Sequence, residues 1–296
     1  MKPRRIIRRP VREDLVAAMP DSLHPVLRRV YGARQIGGAG ELDHGLEHLL
    51  PISSMDGLAA GVALLLDRFR SGERVMVVGD FDADGATSTA LVVRQLRRVG
   101  YEAPCFLVPD RFKYGYGLTP EIVRVAAQQR PGLVVTVDNG ISSLDGVAEA
   151  RRLGIDVLVT DHHLPGDSLP EAAAIINPNL PGARFGSRNL AGVGVAFSLM
   201  AALTREMRQR SLLPNAAAVN PADLLDLVAL GTVADVVPLD FNNRILVAQG
   251  LRRIRAGRCA PGLRALLELA GLELDTVVSQ DLAFQAGPRL LSLIHI

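Results

Sequence analysis

Cysteine is nearly missing from this chain: Cys105 and Cys259 are the only two in 296 residues. Two thiols cannot build a disulfide framework, so both read as small buried hydrophobes. Long apolar runs are missing too. None approaches the roughly 20 residues that a membrane helix needs, although 48% of the chain is hydrophobic and its mean hydropathy is +0.21. These values imply a globular chain with a sizeable core, in one large or two modest domains. The N-terminus lacks the apolar segment of a secretory signal, so the expected compartment is the cytoplasm, with no membrane partner. Lysine is limited to Lys2 and Lys113 among 33 basic residues. A GC-rich genome explains that bias as well as phosphate recognition does. A net charge of +2 excludes a chain that is basic all over. Its cations concentrate at Lys2, Arg4, Arg5, Arg8, Arg9 and Arg12, ahead of the first acid, Glu13. They read as a solvated tail within reach of phosphate.

Residues 1–50 show no sustained periodicity, and Gly37-Gly38-Ala39-Gly40 interrupts them. They read as an irregular N-terminal extension. From Asp56 onward Leu58, Val62, Leu65, Leu66 and Phe69 recur at helical spacing. Strands follow at 74–79, 103–109, 133–137 and 155–160. Helices are expected near 87–99, from Thr119-Pro120-Glu121, and from Ser142 to Leu153, where Gly154 stops the last of them. Strands alternating with helices predict an α/β fold with a parallel sheet and flanking helices. Beyond about residue 190 the pattern turns helical, at roughly 193–209, 221–236, 243–256 and 261–270. The organisation expected is an extension at 1–50, a catalytic domain at 51–240, and at 241–296 a helical linker with the truncated start of a second domain. The terminal stretch Gly287–Ile296 is apolar and uncapped, and reads as a chain cut or misread there.

Three acidic motifs follow apolar runs of strand type. Asp80-Phe81-Asp82-Ala83-Asp84-Gly85 follows Val75–Gly79. Val137-Asp138-Asn139-Gly140 follows Leu133–Val137. Asp161-His162-His163 follows Ile155–Thr160. The carboxyl ends of parallel strands share one edge, where ligands bind, so these distant residues should meet in one site. Carboxylates with one or two imidazoles and no thiolate suit Mn²⁺ or Mg²⁺. A calcium loop is excluded, because position twelve counted from Asp80 is Leu91 rather than Glu. An aspartyl-phosphate phosphatase would leave Asp138 and the Asp-His-His run unexplained. Solvated strand-end turns account for any one motif but poorly for three. No Ser or Cys nucleophile with a partnering base is evident. The residues therefore point to a phosphoester hydrolase in which two divalent ions activate water.

The stretches VVGDFDADGATSTA, VTVDNGIS, VTDHHLP and LVALGTVADVVPLDFNNR resemble, in that order, the motifs of the DHH phosphoesterase superfamily. With PDRFKYGYGL and NLAGVGVAF between them, they look like its bacterial single-strand-specific 5′→3′ exonuclease branch. Small-nucleotide members usually carry a His four residues before the Asp-x-Asp pair. This chain has Val78 there and Asp80 nearby, which favours the exonuclease branch. The resemblance implies Asp80, Asp82, Asp84, Asp138, His162 and Asp235 as metal ligands, with Asp138 bridging two ions. It implies catalytic roles for Asp138, His162 and His163, with His163 on the substrate phosphate. Asp161 would orient the imidazole of its neighbour. Arg111 is a second phosphate contact or a surface ion pair. Asn189 and Gly192-Val193-Gly194 shape a helix entry whose N–H groups are also candidates for phosphate. His24, His44, His48 and His295 belong to no constellation.

By the same resemblance the substrate is single-stranded DNA, cut to mononucleotides during recombination and repair. Single-strand-binding protein and a helicase would be partners, and a second domain would follow the linker. Alternatives are a phosphodiesterase or pyrophosphatase acting on small nucleotides, or a non-catalytic DNA-binding scaffold.

Overall fold

The computed structural model describes residue 7, residues 10–213, residue 215 and residues 218–292. The basic stretch from Lys2 to Arg9, apart from Ile7, and the terminal residues 293–296 with His295 lie outside the described residues. The chain divides into two units, one ending at His48 and one starting at Leu49.

The first unit is not irregular throughout, as its lack of periodicity suggested. It holds helix α1 (Glu13–Ala17) and helix α2 (Pro25–Ala33), followed by short 3-10 turns. Nδ1 of His24 accepts from the Val26 N–H at 3.3 Å and Pro25 opens the helix, so this histidine is a cap. Helices of 5 and 9 residues are too short for a periodicity window to register.

The second unit runs α3 (Leu58–Ser71), β1 (Val75–Val78), α4 (Ala83–Arg98), β2 (Cys105–Leu107), α5 (Arg111–Tyr114), α6 (Pro120–Ala127) and β3 (Leu133–Val137). It continues with α7 (Leu144–Arg152), β4 (Asp156–Thr160), β5 (Ala174–Ile176), α8 (Gly192–Gln209), α9 (Leu225–Ala234), α10 (Phe241–Arg255) and α11 (Pro261–Leu269). All strand pairs are parallel, in the order β2-β1-β3-β4-β5. The elements α5 and β5 were not expected, being only 4 and 3 residues long.

Every residue of β1 and β3 is buried, as continuous Val-rich strands covered on both faces should be. On one face Met76, Val78, Val134, Val157 and Val159 pack on Ile122, Val123 and Ala126 of α6 and on Val147 and Ala150 of α7. Helices α3, α4 and α8 pack on the other side of the sheet. Burying one such Val or Leu contributes about 1.5–3 kcal/mol. A further cluster around Leu230, Leu251, Ile254, Leu263 and Leu267 joins α9, α10 and α11. No single helix among the described residues is long and apolar enough to cross a membrane.

The register sets where the acidic motifs emerge. Val78 pairs with Thr136, and Val137 pairs with Thr160, so the strands end nearly level. The chain leaves β1 first to one side, for β2, and then to the other, for β3. The β1/β3 edge is therefore the switch point at which open parallel sheets bind ligands.

Candidate active site

Asp82 begins α4 as its N-cap, with Oδ1 accepting from the Gly85 N–H at 2.8 Å. A Cβ on Gly85 would stand 2.6 Å from the Asp80 carbonyl oxygen, so glycine lets the loop fold this tightly. Asp84 then falls in the first turn and is 1% exposed. Its Oδ2 accepts from the Gly192 N–H at 2.6 Å and its Oδ1 from the Val193 N–H at 2.9 Å. These N–H groups at the head of α8 are thus taken by a carboxylate of the chain itself. Asn189 gives its Nδ2 to Oδ2 of Asp240 at 3.1 Å.

Asp138 follows β3 with φ of 61°, in the left-handed region, and is 1% exposed. Its neighbour Asn139 donates to the Val137 and Val78 carbonyls at 2.9 and 3.2 Å, tying β3 to the end of β1. Val236, directly after Asp235, has φ of 63° and is exposed. A β-branched residue held there marks local strain beside the site.

The three strand ends and the end of α9 converge. Nε2 of His162 lies 3.1 Å from Oδ1 of Asp138, 3.7 Å from Oδ2 of Asp235 and 3.8 Å from Oδ2 of Asp84. One potential ligand set is Asp80, Asp82 and Asp138; another is Asp84, His162 and Asp235. A third, Asp138 with His162 and His163, links them. Asp138 Oδ1, His162 Nε2 and Asp235 Oδ2 are buried without a hydrogen-bond partner. Orphaned acceptors facing one another are the signature of a place for cations.

Electrostatics agrees. Burial, then the charges of Asp138 and Asp235, push the Asp84 carboxyl well above its ordinary value. Burial, then Asp82 and Asp161, do the same to Asp138. Burial also raises Asp235, against the pull of His162. The ionised forms are thus disfavoured in this desolvated space, and positive charge placed among them would favour them.

Asp161 serves a different end. Its Oδ1 accepts from the backbone N–H of His162 at 2.7 Å and of His163 at 3.1 Å, and lies 2.7 Å from Nδ1 of His163. Its Oδ2 accepts from the Ile141 N–H at 2.9 Å. The imidazole it orients is therefore that of His163, and no hydrogen bond joins it to the ring of His162. Tyr116, which lies in the PDRFKYGYGL stretch but was given no role of its own, brings its hydroxyl 3.4 Å from Nδ1 of His163. A cleft bounded by Tyr116, His163, Asp80, Asp82 and the head of α7 opens beside the carboxylates. Arg111 opens α5, but its side chain lies outside the described residues.

The chain is 55% identical over 293 residues to the single-stranded-DNA-specific exonuclease RecJ of Salmonella typhimurium, covering 98% of this chain and 50% of that protein. It is likewise 55% identical to RecJ of Escherichia coli over 279 residues, covering 94% and 48%. The crystal structure of RecJ in complex with Mn²⁺ from Thermus thermophilus superposes with a TM-score of 0.74 at 33% identity, covering 96% of this chain and 40% of that one. The chain thus spans about half the length of the curated relatives it matches. A model described as the DHH family, N-terminal domain, matches residues 74–232, the stretch holding all three acidic strand ends. The chain belongs to the DHH family.

Proposed function

We propose that this chain is the catalytic part of a metal-dependent 5′→3′ exonuclease that hydrolyses single-stranded DNA to mononucleotides in recombination and repair. The observation that carries the reading is the set of orphaned atoms Asp138 Oδ1, His162 Nε2 and Asp235 Oδ2, gathered within 3.7 Å of the His162 nitrogen. These donors fit two hard or borderline divalent ions, Mn²⁺ or Mg²⁺, with Asp80, Asp82 and Asp138 holding one and Asp84, His162 and Asp235 the other. Such ions supply Lewis acidity for water attack and for the leaving oxygen.

The chain's own groups do the rest. Asp138 belongs to the first set and lies 3.1 Å from His162 of the second, so it would be the carboxylate shared between two ions. The Gly192 and Val193 N–H groups hold Asp84 at a fixed angle. Asp161 accepts a hydrogen bond from Nδ1–H of His163 and favours the imidazolium form of that ring, whose Nε2–H would then donate to a substrate phosphate. Arg111 would add a second phosphate contact. Residues 51–240 would carry this chemistry, with 241–296 as a helical linker. Single-strand-binding protein and a helicase would deliver the substrate in the cytoplasm.

A 5′-labelled single strand, a duplex, a cyclic dinucleotide and pyrophosphate should be incubated in parallel with Mn²⁺ and with EDTA. Metal-dependent release of labelled mononucleotide from the single strand supports the reading. Preference for either small substrate, or hydrolysis undiminished in EDTA, overturns it.

A further inference from the structure

The head of α4 carries Asp84, and its tail carries Arg94 and Arg98. At 1.5 Å per residue Arg98 lies ~21 Å along the axis from Asp84, well away from the strand ends. There a cleft of about 210 Å³ is lined by Arg94, Arg98, Arg253, Arg258 and Asp223. Asp226 lies buried beside it, 1% exposed, with Oδ2 accepting from the Ala260 N–H at 2.6 Å.

Four guanidinium groups thus face two carboxylates, and the pairing is poor. Nη1 of Arg98 is buried with no hydrogen-bond partner, and Oδ2 of Asp223 stands 3.7 Å from it. Arg253 gives its Nη1 to the Gln249 carbonyl at 3.0 Å and to Gln249 Oε1 at 3.2 Å, neither of them charged. Arg94 and Arg258 make no side-chain hydrogen bond or ion pair among the described residues. Burial, then the charge of Arg258, lowers the Arg253 pKa from its ordinary value. Burial also raises the carboxyl of Asp226, so its negative charge is itself disfavoured. Concave, partly desolvated positive charge of this kind calls for an anion. Guanidinium forks match the paired oxygens of a phosphate, and the space accommodates a phosphate group rather than a whole nucleotide.

We infer that this cleft binds a phosphate group, carried on a free mononucleotide or on the backbone of a DNA strand, at a site separate from the strand-end carboxylates. Binding is measured by calorimetry on metal-free protein dialysed out of chelator, where the carboxylate cluster repels anions and the arginine variants identify the cleft's share. The probes are inorganic phosphate, thymidine monophosphate and a single-stranded oligothymidylate, each at constant ionic strength set with chloride. Saturable binding is expected, several-fold weaker in Arg258→Gln, and weaker by roughly tenfold or more in Arg98→Gln/Arg253→Gln. Equal affinity for phosphate and monophosphate assigns the site to free ligands. Binding of the oligothymidylate alone assigns it to a strand. No saturable binding of any probe, or affinity undiminished in the variants, overturns the inference. Arg258 is exposed, so its variant remains decisive if the double variant loses its cooperative melt.

Discussion

Oδ1 of Asp161 lies 2.7 Å from Nδ1 of His163, whereas His162 turns its Nε2 to Oδ1 of Asp138 at 3.1 Å. Adjacent histidines are thereby assigned to different partners. One ring faces buried carboxylates with a nitrogen unpaired, and the other is half exposed at the mouth of a cleft with its second nitrogen held.

That division predicts unlike variants. His162→Ala should weaken Mn²⁺ binding, since it removes a nitrogen that three carboxylates surround. His163→Ala should leave Mn²⁺ affinity nearly intact and lower turnover. Metal titration by calorimetry, set beside the rate on a single strand, separates the two. Equal loss of metal affinity in both would refute the division.

Asp138→Asn should abolish turnover while raising the melting temperature of the metal-free protein at neutral pH. Burial and neighbouring carboxylates raise the Asp138 pKa, so its ionised form costs stability above the ordinary value of 3.8. Removing that charge should gain on the order of 1 kcal/mol, or ~2–4 °C. Asn also tolerates the left-handed backbone at this position better than Ala does. Retention of more than about a tenth of the wild-type rate would remove Asp138 from the bridging role.

The Asp161–His163 pair should leave a pH signature in EDTA. The hydrogen bond to Asp161 raises the His163 pKa above 6.5. Burial works to raise Asp161, but the hydrogen bond and charge of His163, with N–H groups of Ile141 and His163, hold it below 3.8. The stabilisation is complete between those ordinary values. It is lost as pH rises through the elevated His163 value or falls through the depressed Asp161 value. Melting curves of Asp161→Asn against wild type should therefore differ most near the middle of that window and differ less on its alkaline side, where only the backbone N–H contacts of Asp161 remain. A difference independent of pH would show that Asp161 acts only through the backbone N–H groups.

Gly192→Ala should damage the site more than the fold. A Cβ there would stand 2.6 Å from Oδ1 of Asp138, so the carboxylate has to move. Overpacking of this kind costs about 1–3 kcal/mol of stability. Metal affinity, which depends on where that oxygen sits, should fall at least tenfold. Calorimetric Mn²⁺ titration of the variant checks this, and wild-type affinity would show that Asp138 has room to shift.

The sequence by itself determined the parallel sheet and the strand-end location of the acidic motifs. Continuous Val-rich runs such as Leu133–Val137 admit little other than a strand buried on both faces, and Asp138 can only follow it. It also selected Asp80, Asp82, Asp84, Asp138, Asp161, His162 and His163, because three acidic strand ends are hard to explain separately; Asp235 came only from resemblance to a family motif. Tertiary structure decided their division of labour. That Asp161 meets the ring of His163, that the head of α8 is occupied by Asp84, and that Tyr116 approaches His163 all depend on side chains brought together across the fold. The arginine cleft has the same origin, since Arg94 and Arg98 lie more than 150 residues from Arg253 and Arg258. Periodicity reports which face of an element is apolar, but it carries no record of which distant polar group that element will meet.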